Sequence, residues 1–163
     1  MSDIFNSEMV FPKHFKPVFC KGKFCDLHFI GYDYKSDSTL KVLLGFTKTK
    51  YYDKYYDLQC SDKNLIVERK IELTKAIVNG IDYAEDIVDD FFSFDGTMQY
   101  FELDIPFVFA LNSRALASAL KESNKITLEF KILDFEYENE EDREDNYYAQ
   151  YHCVDTFTFD VNQ

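Results

Sequence analysis

Tryptophan is absent from this chain, and its 163 residues include only three Pro and five Gly. That scarcity excludes Pro- or Gly-rich linkers and collagen-like repeats. It also leaves no glycine-rich phosphate loop, since neither GxGxxG nor GxxxxGKS/T occurs. No run approaches the ~18–20 apolar residues that span a bilayer. The opening MSDIFNSEMVF has neither the basic start nor the apolar stretch of a secretory signal, so a cytoplasmic, reducing location is expected.

Cysteine is sparse as well. Cys20, Cys25, Cys60 and Cys153 are too few for a disulfide scaffold in a chain of this size, and reduced, mostly buried thiols are expected. A metal set drawn from Cys20, Cys25, His28 and Cys153 finds no support in spacing: C-x4-C at 20–25 is followed by no second pair at zinc-ligand separation. The expectation is no metal and no cofactor. His152 and Cys153 are neighbours, so on a strand they face opposite sides and cannot form a nucleophilic dyad together. An EF-hand counted from Gly96 as its sixth position puts Phe91 first, where Asp is required. With 30 acidic residues, no carboxylate pair stands out as an acid–base couple. No catalytic residue is assigned, and the chain is expected not to be an enzyme.

Aromatic residues, by contrast, are plentiful: 17 Phe and 12 Tyr make 18% of the chain. Rings of this kind bury large areas, which argues for a substantial core and against disorder. The length fits one domain, 1–163, with an irregular N-terminal segment at 1–23 that holds Pro12 and Pro17 among lysines.

Charge is one-sided. The net value is -12, which argues against direct nucleic-acid or anionic-membrane binding and favours basic partners. Residues 1–54 carry nine Lys and six acids, whereas residues 55–163 carry nine Lys or Arg and 24 acids. From 76 to 113 there is no Lys or Arg at all, against eight acids.

Alternation of apolar and polar residues predicts strands at about 24–34, 39–47, 65–73, 97–105, 125–137 and 147–161. Ser36 to Ser38 reads as a hairpin turn, and the run 138–146, ENEEDREDN, as a solvated acidic loop closing a long hairpin. Arg69 interrupts an apolar face and is expected near a sheet edge. Helical spacing is expected in two places. At 112–122 an Asn112 or Ser113 cap precedes a Leu/Ala stripe. At 82–92, Tyr83, Ala84, Ile87, Val88 and Phe91 share an arc of about 140°, with Asp82 and Glu85 resembling a capping box. The pattern implies an α+β fold, mainly β: an antiparallel sheet sandwich or half-open barrel with two short helices.

On the second of those helices, Glu85 with Asp89 and Asp86 with Asp90 form like-charged i,i+4 rows that repel one another. A face of this kind is either solvated or a docking surface. The latter reading makes Glu85, Asp86, Asp89 and Asp90, with Tyr83 and Phe92 as aromatic anchors, the candidate partner-binding residues. The function favoured is a small acidic binding protein that occludes or sequesters a basic protein partner. Immunity proteins and enzyme inhibitors are of this type, and the carboxylate rows could imitate a phosphate backbone. Two alternatives stay open: a structural or assembly subunit of a multimeric complex, and an enzyme of unrecognised type. Oligomeric state is not legible.

Overall fold

The structure, a computed structural model, describes residues 18–33, 39–52, 65–87 and 98–162. Its described strands form two antiparallel sheets. The first holds β1 (Val18–Cys20), β2 (Cys25–Asp33), β3 (Thr39–Lys48) and β7 (Phe107–Asn112), in the order β1-β2-β3-β7. The second has the order β5-β4-β8-β9, from β4 (Ile66–Val78), β5 (Ile81–Asp82), β8 (Lys125–Tyr137) and β9 (Gln150–Asn162); β6 (Met98–Tyr100) also pairs with β4. Among the described residues two α-helices connect strands: α1 (Arg114–Lys121) between β7 and β8, and α2 (Glu140–Glu144) between β8 and β9. The architecture is mainly β, as the alternation implies, and among the described residues the sheets do not close into a barrel.

The sheets pack face to face through phenylalanines. Phe29 meets Phe159 with ring centroids 5.5 Å apart, Phe46 meets Phe157 at 5.6 Å, and Phe109 meets Phe130 at 5.4 Å. The first ring of each pair comes from the β2-β3-β7 sheet and the second from the β4-β8-β9 sheet. Burying a ring of this size stabilises by about 1.5–3 kcal/mol, so these contacts hold the layers together. One corner is closed by a carboxylate. Asp155 on β9, 8% exposed, accepts the backbone N–H of Lys23 (2.8 Å), Phe24 (2.9 Å) and Cys25 (3.0 Å) from the β1–β2 turn. That turn also requires glycine: a Cβ on Gly22 would lie 1.9 Å from the Cys25 carbonyl oxygen.

Several local choices explain the elements. Asn79 and Gly80 both have positive φ (51° and 81°) and join the paired residues Val78 and Ile81, giving the two-residue turn that matches strand twist. Ser113 caps α1 by accepting the Leu116 N–H at 3.1 Å. Strand β8 changes sides midway. Ile126, Leu128, Phe130 and Ile132 face the sandwich core, whereas Leu133, Phe135 and Tyr137 build a second, smaller cluster with Ile66 and Met98. Strict alternation then sends Asp134 and Glu136 to the inner side.

Three expectations need correction. In the described part of the helix expected over 82–92 there is only a 3-10 turn, Ala84–Asp86, after which Ile87 returns to extended backbone (φ -76°, ψ 120°); 88–92 lie outside the described residues. The strand expected at 97–105 ends at Tyr100, and a separate strand, β7, follows Pro106. The acidic run is not wholly loop: Asn139 accepts the Asp142 N–H at 2.8 Å and starts α2, whose first-turn acids suit the helix dipole. Arg69, expected near a sheet edge, does lie close to one: among the described residues its stretch of β4 pairs with β8 alone, β6 starting only at Lys70, and there Arg69 faces Asp134 as half of a buried ion pair.

Candidate interaction surface

Glu68 and Lys70 on β4 share the outer face of the β4-β8-β9 sheet with Phe135 and Tyr137 on β8 and Tyr151 on β9, because each occupies an alternate register position. Tyr100 joins them from β6, opposite Lys70. Lys70 is only 7% exposed. Its ammonium sits 4.9 Å from the Tyr100 ring centroid and 4.7 Å from that of Phe135, and donates to Asn146 Oδ1 at 3.3 Å. A buried ammonium needs such compensation, and two ring faces plus an amide oxygen supply it.

Asn146 ends the α2 segment at φ 56°, a conformation Asn tolerates well. Its side chain also accepts the Tyr137 hydroxyl at 3.1 Å. Arg143 of α2 reaches Glu68 at 3.0 Å and Glu140 at 2.7 Å. Tyr100 donates its hydroxyl to Glu68 at 3.0 Å. The acidic segment is therefore fastened to this face of the sheet. Burial and the nearby Glu68 push the Tyr137 hydroxyl up to about 12, and burial with the Glu68 hydrogen bond raises that of Tyr100.

Beyond Lys70 the aromatic row continues outward. Phe135 stacks on Tyr151 (5.5 Å, 27°) and meets Tyr148 edge-on (5.0 Å, 70°), and Tyr148 and Tyr151 are nearly perpendicular (88°). Tyr100, Tyr147, Tyr148 and Tyr151 are 59%, 77%, 44% and 54% exposed. Beside them, Glu138, Glu140, Glu141, Glu144 and Asp145 are exposed carboxylates. Exposed tyrosines next to a single sign of charge make a surface of interface composition.

Of the residues that sequence reading nominates, the described ones, Tyr83, Glu85 and Asp86, lie elsewhere. Tyr83 is half-buried against the core and donates its backbone N–H to the Ala76 carbonyl at 2.8 Å. Asp82 accepts the N–H of Ala76 and of Ala84, both at 3.0 Å, so it folds the β5 turn. Glu85 and Asp86 are exposed, whereas Asp89, Asp90 and Phe92 lie outside the described residues. Because the helical path ends at Ile87, the i,i+4 argument for two carboxylate rows loses its geometric basis. The tyrosine surface carries a signal that could have been read: Tyr147, Tyr148 and Tyr151 follow directly on the acidic run.

A second polar group lies on the inner side of the same sheet, at its open end. Arg69 forks onto Asp134 through Nε (2.5 Å) and Nη2 (2.7 Å), and its guanidinium lies 4.8 Å from the Tyr52 ring. Burial works against the Arg69 charge, but the hydrogen bond and charge of Asp134 outweigh it and raise its pKa. Glu136 is held by His152 at 3.4 Å and by the Gln150 amide. Cys25 lies near this group, and burial pushes its thiol up to about 12, with Arg69 opposing; it is a protonated thiol rather than a nucleophile. Asp134 is engaged by Arg69 and Glu136 by two partners, an arrangement that stabilises buried charge. Cys20, Cys25 and Cys153 are free thiols; Cys153 is exposed, contrary to the expectation of mostly buried cysteines. His28 contacts Thr47 Oγ1 at 2.9 Å. Among the described residues no three His, Cys, Asp or Glu side chains converge as a metal site, and no helix is long and apolar enough to cross a membrane. Comparison with protein-family models, with curated proteins and with solved structures finds no match to this chain.

Proposed function

We propose that the chain is a binding protein that docks a basic protein partner on the outer face of the β4-β8-β9 sheet. The observation that carries this reading is the exposed Tyr100, Tyr148 and Tyr151 on this face, joined by the carboxylate-rich 138–145 segment that Arg143 ties to Glu68. Tyrosine is enriched at binding hot spots because it offers a large rigid area at low entropic cost. The neighbouring carboxylates steer a cationic partner during encounter and disfavour acidic ones. An inhibitor or immunity-type role, in which the partner's basic site is covered, fits this chemistry. It moves the docking face from the 82–92 region to the β8–β9 hairpin tip.

The test is capture followed by mapping. A partner recovered in stoichiometric amount should protect the backbone amides of 147–153 from hydrogen exchange. Changing Tyr148 and Tyr151 together to Ala should lower its recovery at least tenfold, with a cooperative thermal melt showing that the variant is still folded. Protection confined to another face refutes the reading. An assembly subunit is the second reading, favoured by β9, which among the described residues pairs only with β8 over its 13 residues. Particle mass that grows with protein concentration, without any other protein, would select it.

A further inference from the structure

We propose that the group recognised at this surface is a guanidinium, so that the partner presents arginine rather than lysine. The inference rests on the binding role proposed above and adds the chemistry of its ligand. Two contacts within the chain show how this face handles cations. Lys70 lies between the rings of Tyr100 and Phe135, 4.9 and 4.7 Å from their centroids. Arg143 holds two carboxylates from one guanidinium, with Nη1 3.0 Å from Glu68 and Nε 2.7 Å from Glu140. Ring face and carboxylate fork thus occur side by side on one surface.

The same pairing extends outward. The row of Tyr100, Lys70 and Phe135 ends on Tyr151 and Tyr148, whose planes stand 88° apart with centroids 5.7 Å from each other. A flat cation can lie on an exposed ring of this group, and Glu138, Glu144 and Asp145, exposed in the same hairpin segment, supply negative charge that draws any cation. Guanidinium is planar, weakly hydrated and able to stack while donating in its own plane. An ammonium is compact and strongly hydrated. Lys70 occupies its ring cage because the fold buries it, with Asn146 replacing lost water. A lysine arriving at exposed Tyr148 and Tyr151 keeps its hydration instead and gains little from the rings. Charge alone draws either residue; ring geometry selects between them.

The experiment uses two synthetic peptides of equal length and charge, one an arginine homopolymer and the other a lysine homopolymer. Each is titrated calorimetrically into the full chain. The wild type should bind the arginine peptide at least about fivefold more tightly. A Tyr148→Leu, Tyr151→Leu variant keeps apolar area but removes the π faces. It should bind both peptides equally, at the affinity wild type shows for lysine. A Glu138→Gln, Glu144→Gln, Asp145→Asn variant should weaken both peptides by the same factor and preserve the ratio. All three side chains of that variant are exposed, and thermal melts establish that each variant is folded. Equal wild-type affinity for the two peptides overturns guanidinium selection while leaving the basic-partner reading standing. Failure of both peptides to bind, or binding indifferent to the carboxylate variant, overturns both.

Discussion

Asp155→Ala should unfold the chain more readily than any single surface change, and the cost follows from three hydrogen bonds. The carboxylate accepts the Lys23 N–H through Oδ1 and the Phe24 and Cys25 N–H groups through Oδ2. Hydrogen bonds to a charged acceptor contribute about 1.5–3 kcal/mol each. Lys23 is exposed, so its amide recovers water when the carboxylate is lost. Phe24 and Cys25 are buried, and their amides stay without compensation. Two uncompensated bonds put the loss at about 3–6 kcal/mol. For a chain of this length, that lowers Tm by roughly 6–24 °C. Asp155→Asn is the informative partner. Its amide oxygen can take the Oδ2 position and keep both buried bonds, but a neutral acceptor makes them about half as strong as the carboxylate does, so about half the loss is expected. Urea unfolding followed by circular dichroism measures both variants, with an unchanged m-value confirming that the unfolded state is not what moved. A loss below about 1 kcal/mol for Asp155→Ala, or equal losses for the two variants, refutes the idea that this carboxylate ties the β1–β2 turn to β9.

Other outcomes are open to direct measurement. Alkylation of the native chain, mapped by mass spectrometry, should label exposed Cys153 ahead of half-buried Cys20, and Cys25 only on unfolding, because Cys25 is wholly buried with its thiol pushed up to about 12. Tyr137 should make stability fall in alkali. Its folded-state pKa of about 12 lies above the ordinary tyrosine value of 10, so its contribution is complete below pH 10 and is lost as pH rises from 10 through about 12. Tyr137→Phe should flatten that slope in denaturant titrations. Gly22→Ala should cost about 2 kcal/mol or more, since a Cβ would fall 1.9 Å from backbone oxygen and the turn must open to admit it. A melting curve indistinguishable from wild type would falsify that account of the turn.

Much of the fold was legible because burial and alternation agree along its longest strands. The reading of 125–137 coincides with β8, and Ser113 is the cap of α1 as proposed. What misled was competition between periods. Residues 83–91 carry a helical spacing, but Asn79-Gly80, the strongest hairpin signal here, had already committed the chain to a strand turn just before it. The strand β7 was hidden because its apolar run FVFALN flows into the Leu stripe of α1, and a short apolar run does not declare its period. The ion pair of Arg69 was not legible because sequence shows one charge, not the Asp134 that faces it 65 positions later. The tyrosine surface was missed for a related reason: one apolar face per strand was assumed, and β8 has two.

That change of side gives one strand two levels of protection. Residues 126–132 share the principal core, and their amides should exchange with deuterium only when the whole molecule opens. Residues 133–137 rest on the small outer cluster and on α2, and can open together with 150–153 while the sandwich remains closed. Native-state exchange should show the break between Ile132 and Leu133, where the β8–β9 register shifts while the β4–β8 pairing runs on. The hairpin tip then behaves as a cooperative unit of its own, with a lower opening free energy than the strand that bears it. Whatever occupies its tyrosines would register first as slower exchange in the second half of β8.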